Sequence, residues 1–247
     1  MNGEIHLRVE SLREPGLYLF FDDGTLLPVT RSSIEEWIQR YLADPTLISP
    51  ACRAAAAYQP CQVCPRRHTG ELCHAVPTVF PFLGSLDHYL SFDSVTAVFV
   101  EETGLAGRSE PVFHVTRTTM QRALQHVAIL SLLYYCEIGR AYYPFFEGVV
   151  PFMHAEMIAE RVYANLYLQL KGNSQAIQET LARMYEDMDS TILCQIERLR
   201  LFCVNDVLLN AFANLHVVLQ YLSPDFLPSL LQQMEARRLA HAPTAAE

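Results

Sequence analysis

In the stretch 176–202 the residues Ile177, Leu181, Met184, Met188, Ile192, Ile196 and Leu199 recur three and four positions apart, the spacing of one face of an α-helix. A helix over this span is about seven turns long, and a stripe of that length is stable only when other elements cover it. The segments 120–135, 152–170 and 204–221 carry similar apolar periodicity. Gly139, the stretch 144–151, Gly172-Asn173 and Ser223-Pro224 separate these segments, residues that end helices or start turns. Residues 118–240 are therefore expected to form a helical bundle, with 241–247 a flexible polar tail. Because the 176–202 stripe is longer than a single domain usually covers, it also predicts a homodimer through that helix.

The chain has a different character before residue 118. Apolar runs at 4–10 and 17–21 precede Asp22-Asp23-Gly24-Thr25, after which Leu26-Leu27-Pro28-Val29 follows; the Asp-Gly turn between apolar runs predicts an antiparallel hairpin. A second strand pair is expected at 95–101 and 112–116. Ser33 and Glu36 have capping-box spacing at the head of a helix over 33–43. The fold class is thus α+β: a small antiparallel sheet with a cysteine-rich loop insertion at 50–78, all within a mixed region 1–117, followed by the bundle and packed with it as one unit.

That insertion carries the chemistry. Pro45, Pro50, Pro60 and Pro65 punctuate it, and it contains Cys52, Cys61, Cys64, His68, Cys73 and His74. A Cys-x-x-Cys turn brings two sulfurs near enough to share an ion, and metal coordination lowers thiol pKa so that both bind as thiolates. Cys61, Cys64 and Cys73 form the expected core of a metal site, zinc being the expected ion, and a Pro-rich loop of this kind gains its order from such a staple. With His68 as fourth ligand the pattern is C-x2-C-x3-H-x4-C, which resembles a zinc knuckle shortened by one residue. With Cys52 the ligands are all thiolate, as iron–sulfur clusters prefer. His74 is the third choice, because its adjacency to Cys73 demands a bent backbone.

Cys61-x-x-Cys64-Pro65, Cys73-x-Ala75-Val76 and Pro151-Phe152 followed by Glu156 and Arg161 together resemble an uncharacterised bacterial family. The resemblance implies a small N-terminal sheet, a Cys-x-x-Cys-Pro element and a helical C-terminal half. That family places a His just before the Pro-Phe pair, whereas here the nearest is His154, after it. No activity comes with the likeness.

Seven cysteines in a chain without an export signal at its start favour metal binding or burial over disulfides, and with no apolar run long enough to span a bilayer the expectation is a cytoplasmic protein. A net charge of -9 repels phosphate backbones, so nucleic acid is a disfavoured partner. The sequence lacks G-x-S-x-G, H-E-x-x-H, Walker and G-x-G-x-x-G motifs, which removes the usual support for hydrolase, metalloprotease and nucleotide readings. The expectation is a zinc-stabilised protein that binds a partner protein or small ligand, with an iron–sulfur or redox protein as the alternative. The aromatic segment Tyr134 to Glu147 is read chiefly as core, with a ligand pocket as the minority reading. His126 and His216 are read as core histidines.

Overall fold

The computed structural model describes residues 12, 14–58, 61–69, 73–103 and 110–240; the strand expected at 4–10 and the tail 241–247 lie outside them. Four antiparallel strands, β1 (Gly16–Phe20), β2 (Leu26–Thr30), β3 (Ser94–Thr103) and β4 (Glu110–Thr119), pair in the order β2-β1-β3-β4. The first hairpin closes at the Asp-Gly turn, where Gly24 adopts φ +85° and its N–H donates to the Phe21 carbonyl at 3.0 Å. Alternation then sorts the side chains to the two faces. Leu17 and Leu19 on β1 join Val95 and Ala97 on β3 against the helices, while Tyr18, Phe20, Val98 and Val100 form a smaller cluster on the other face with Leu12.

The helices follow from their caps and apolar stripes. α1 (Arg31–Ala43) starts directly from β2: Thr30 caps it, with the Thr30 hydroxyl and the Ser33 side chain each accepting the other residue's backbone N–H, so the capping box lies three residues before the expected Ser33 start. α2 (Pro50–Ala57) opens the stretch 50–78 expected to be loop-rich, extending the single turn expected at 53–57 back to Pro50; Ser49 caps it, Pro50 sits at N1, and the alanine run propagates it. After the short α3 (Leu83–Leu86), the expected 120–135 helix is broken into α4 (Met120–Ala123), α5 (Gln125–Ile129) and one π-helical turn, Leu130–Tyr135. Then come α6 (Ala155–Gln169), α7 (Ser174–Leu199), capped by Asn173, α8 (Val207–Leu222) and α9 (Leu227–Ala240).

One core runs continuously from the inner sheet face through α1, the 76–82 segment, the broken helix and α6 to α8. Of the α7 stripe, Ile177, Leu181, Met184, Met188, Ile192 and Leu199 are buried, so the chain itself covers most of it. The π turn meets the chain again at Gly139, where a Cβ would stand 1.7 Å from the Leu132 carbonyl oxygen. Backbone cannot yield as a flexible side chain can. Gly139→Ala is expected to destabilise the protein at or beyond the upper end of the roughly 1–3 kcal/mol typical of overpacking, and urea midpoints of the two proteins measure it; an unchanged midpoint would contradict this packing.

Candidate thiol site

Residues 61–69 and 73–75 lie against the π turn and α7. Cys64 closes a turn on Cys61 through N–H···O at 2.9 Å, and Pro65 opens a short 3-10 turn over Pro65–His68. The Cys73 N–H donates to the Ala56 carbonyl at 3.2 Å, and Ser131 Oγ donates to the Ala75 carbonyl at 2.8 Å. Arg66 reaches Glu137 at 3.1 Å, with Arg140 on the other carboxylate oxygen at 2.6 Å, and the Arg66 hydrogen bonds hold the Glu137 carboxyl below its usual range. These bonds attach the loop to α2 at Cys73 and to the bundle at Arg66 and Ala75.

Cys61, Cys64 and Cys73 line one small pocket of about 40 Å³, together with His74, Cys136, Gln195 and Arg198. His68 is exposed and is not among its walls. Cys52 lies on α2, buried in the main core, and its thiol approaches Cys203, whose own thiol burial and then Cys52 push up to about 12. Two cysteines that the sequence reading treats as scattered helical residues take part instead. Cys136, just after the π turn, feels Cys73 and Cys64, though burial dominates and raises it to about 11. Cys194, on α7, accepts a hydrogen bond from the Cys61 thiol.

That bond sets the electrostatics of the pair. It lowers Cys194 to about 7, helped by the Arg198 guanidinium one turn along the helix, and it raises Cys61, whose burial works in the same direction. Arg198 is only 2% exposed, so its charge lies inside the protein beside sulfur. Gln195, 1% exposed, donates from Nε2 to Cys73 Sγ at 3.3 Å. α7 thus presents Cys194, Gln195 and Arg198 on the face that meets the loop, at i, i+1 and i+4. The signal in the sequence is a cysteine followed four residues later by an arginine in an apolar stripe; neither is a motif by itself.

All seven cysteines are free. Among the described residues, no three His, Cys, Asp or Glu side chains already stand as a metal-holding group; the sulfurs line the walls of the pocket without meeting at one point. Next to it, Cys73 and His74 also border a groove of about 320 Å³ against α1, with Ile38, Leu42 and Tyr135 along it. The aromatic segment divides: Tyr142 and Phe146 are buried core, while Tyr143 and Glu147 line a separate cavity of about 490 Å³ that reaches His126. Arg31 stacks over the Tyr134 ring at 4.3 Å and donates to the Tyr143 hydroxyl at 2.8 Å. His216 pairs with Asp189 at 3.1 Å.

No family model matches this chain, and neither do any curated protein or solved structure. No helix among the described residues is long and apolar enough to cross a membrane.

Proposed function

We propose that this is a zinc-stabilised cytoplasmic binding protein in which Cys61, Cys64, Cys73 and Cys194 hold one ion and the adjoining groove takes up an apolar segment of a partner or a small ligand. The observation that carries the reading is that the loop thiols Cys61, Cys64 and Cys73 line one pocket next to the buried Arg198, with Cys194 of α7 outside its walls but bonded to Cys61. Four thiolates on a divalent ion leave a net negative charge, and a buried guanidinium beside them offsets it. His68 and Cys52, the alternatives for the fourth position, are respectively exposed and in the main core, while His74 borders the pocket from an exposed position. The small size of this space, about 40 Å³, is in keeping with a single ion such as zinc. Coordination requires the thiols to turn inward from the walls they line.

Protein purified without a metal-affinity tag is expected to carry about one zinc per chain by elemental analysis. Cys194→Ser should lose it, and Cys52→Ser and His68→Ala should keep it. A folded wild-type protein free of metal would overturn the proposal, and a brown anaerobic preparation would favour the cluster instead.

One observation favours a second reading, a dithiol redox centre: Cys61 donates to a Cys194 thiol whose pKa is near 7. In that case Cys194 thiolate attacks a small disulfide such as oxidised glutathione and releases one thiol. Cys61, on losing its proton, then displaces the second and leaves a Cys61–Cys194 disulfide. Mass analysis after oxidised glutathione, showing a loss of two alkylatable thiols confined to this pair in metal-free protein, would select this reading.

A further inference from the structure

Away from the thiol pocket, and sharing no residue with it, a cleft of about 600 Å³ opens where the first turn of α6 faces α4, α5, α8 and α9. Its floor and walls are polar in a way that the fold does not require. His154 precedes α6 as its N-cap residue but makes no side-chain cap, and the first intrahelical bond from this end is the Ile158 N–H to the His154 carbonyl. The N–H groups of Ala155, Glu156 and Met157 therefore have no intrahelical acceptor, and all three residues line the cleft. The positive end of a 15-residue helix lies there with them.

Two further groups point to what this end would receive. Arg122, from α4, has its guanidinium against the His154 imidazole. Among the described residues no carboxylate lies within ion-pair distance of Arg122, so its charge enters the cleft uncompensated. Gln125, from α5, is 2% exposed, lines the same cleft, and its side-chain amide has no hydrogen-bond partner among the described residues. That leaves the amide free to bond whatever occupies the cleft. Arg237, from α9, spans Glu156 and Glu160, the second at 2.7 Å, so the negative charge of Glu156 that faces the cleft is offset in part. Asn214 and Tyr221 on α8 complete the wall with an amide and a phenol.

We propose that this cleft is a binding site for a small phosphate monoester. The phosphate lies between Arg122, the α6 amides and the Gln125 amide, and the body of the molecule lies along Asn214 and Tyr221. Backbone N–H groups at a helix N-terminus and an arginine fork are the usual partners of phosphate oxygens. Donors arriving from three elements suit a tetrahedral group with three acceptor oxygens better than a planar carboxylate, and the cleft is larger than inorganic phosphate needs.

The test uses the full chain in phosphate-free buffer, titrated calorimetrically with inorganic phosphate, glycerol 3-phosphate and acetate. Glycerol 3-phosphate is expected to bind saturably, one per chain, and more tightly than inorganic phosphate, with acetate weakest. Arg122→Gln and Gln125→Leu, each checked for native circular dichroism, should weaken it tenfold or more, while Arg200→Gln, on an exposed position far along the chain, should leave it unchanged. Gln125→Glu keeps the shape of the floor and should abolish binding by charge alone, which keeps the test open if Gln125→Leu does not fold. Absence of saturable phosphate ester binding, acetate binding more tightly than either phosphate, or equal affinity in wild type and Arg122→Gln would each overturn the proposal. Tighter binding of free phosphate than of its ester would overturn the ester assignment.

Discussion

Cys61→Ser and Cys64→Ser proteins should emerge from purification without zinc and be cut by trace protease within residues 58–74, while the wild type resists. The expected effect is large because the binding free energy of structural zinc, roughly 10–16 kcal/mol in small peptides, is mostly ordering energy for the segment that supplies the ligands. Cutting should stop at both edges of this window for a reason specific to this fold. Cys52 and Ala56 on α2, and Val76, Val79, Phe80 and Phe82 after the loop, belong to the main core, and their burial does not depend on an ion. Between them the loop is held by hydrogen bonds from Cys73 to Ala56 and by the Arg66 to Glu137 pair at 3.1 Å, a half-exposed ion pair that contributes at most about 1 kcal/mol. Far-UV circular dichroism should therefore change little. Mass spectrometry of the fragments decides the matter: cuts within α6, α7 or α8 would show that the thiol site supports the bundle itself, and unchanged resistance would show that no ion staples the loop.

The sequence made the small sheet, the capped α1 and the run of helices from 155 onward legible, because each rests on local chemistry: an Asp-Gly turn, side-chain caps, apolar residues at helical spacing. It gave α2 away only in part, since Ser49-Pro50 ahead of an alanine run is a helix start, yet the surrounding prolines read as loop. The π turn at Leu130–Tyr135 has no local signal; it follows from the close approach of Gly139 to the Leu132 carbonyl, a contact between segments. The thiol pocket divides along the same line. Cys61, Cys64 and Cys73 are near neighbours in sequence and their grouping was readable, whereas Cys136 enters the pocket from the end of the π turn and Cys194 meets Cys61 from α7, and only the packing of the loop on both elements brings them close. The α7 stripe shows the opposite case. Its length suggested a homodimer through 176–202; the apolar stripe packs against α8 and enters the common core, and within the same segment Leu193 and Leu201 remain exposed.

Acid should unfold this protein earlier than its carboxylates alone dictate, and His126 should be the cause. The side chain is 9% exposed, edge-on to Phe99 at 5.3 Å between ring centres, and burial, followed by the Arg31 charge, lowers its pKa to about 3 from an ordinary 6.5. The folded state therefore holds the neutral ring, while the unfolded chain takes up a proton as soon as pH falls below 6.5. Stability from this residue is complete above that value, declines as pH drops, and stops declining below about 3, where the folded form also protonates. The loss accumulated by pH 4 is on the order of 3 kcal/mol, a large share of a typical domain's stability. Arg31, Glu101 and Glu147 line the cavity next to the ring, Glu101 is engaged by His114 at 3.0 Å, and these groups are common to wild type and variant. His126→Gln cannot titrate, so urea midpoints between pH 7.5 and 4 should fall less steeply in that variant by roughly the amount stated. Parallel slopes for the two proteins would mean that the imidazole has access to water or to a hydrogen-bonding anion in the cavity, and that burial does not hold it neutral.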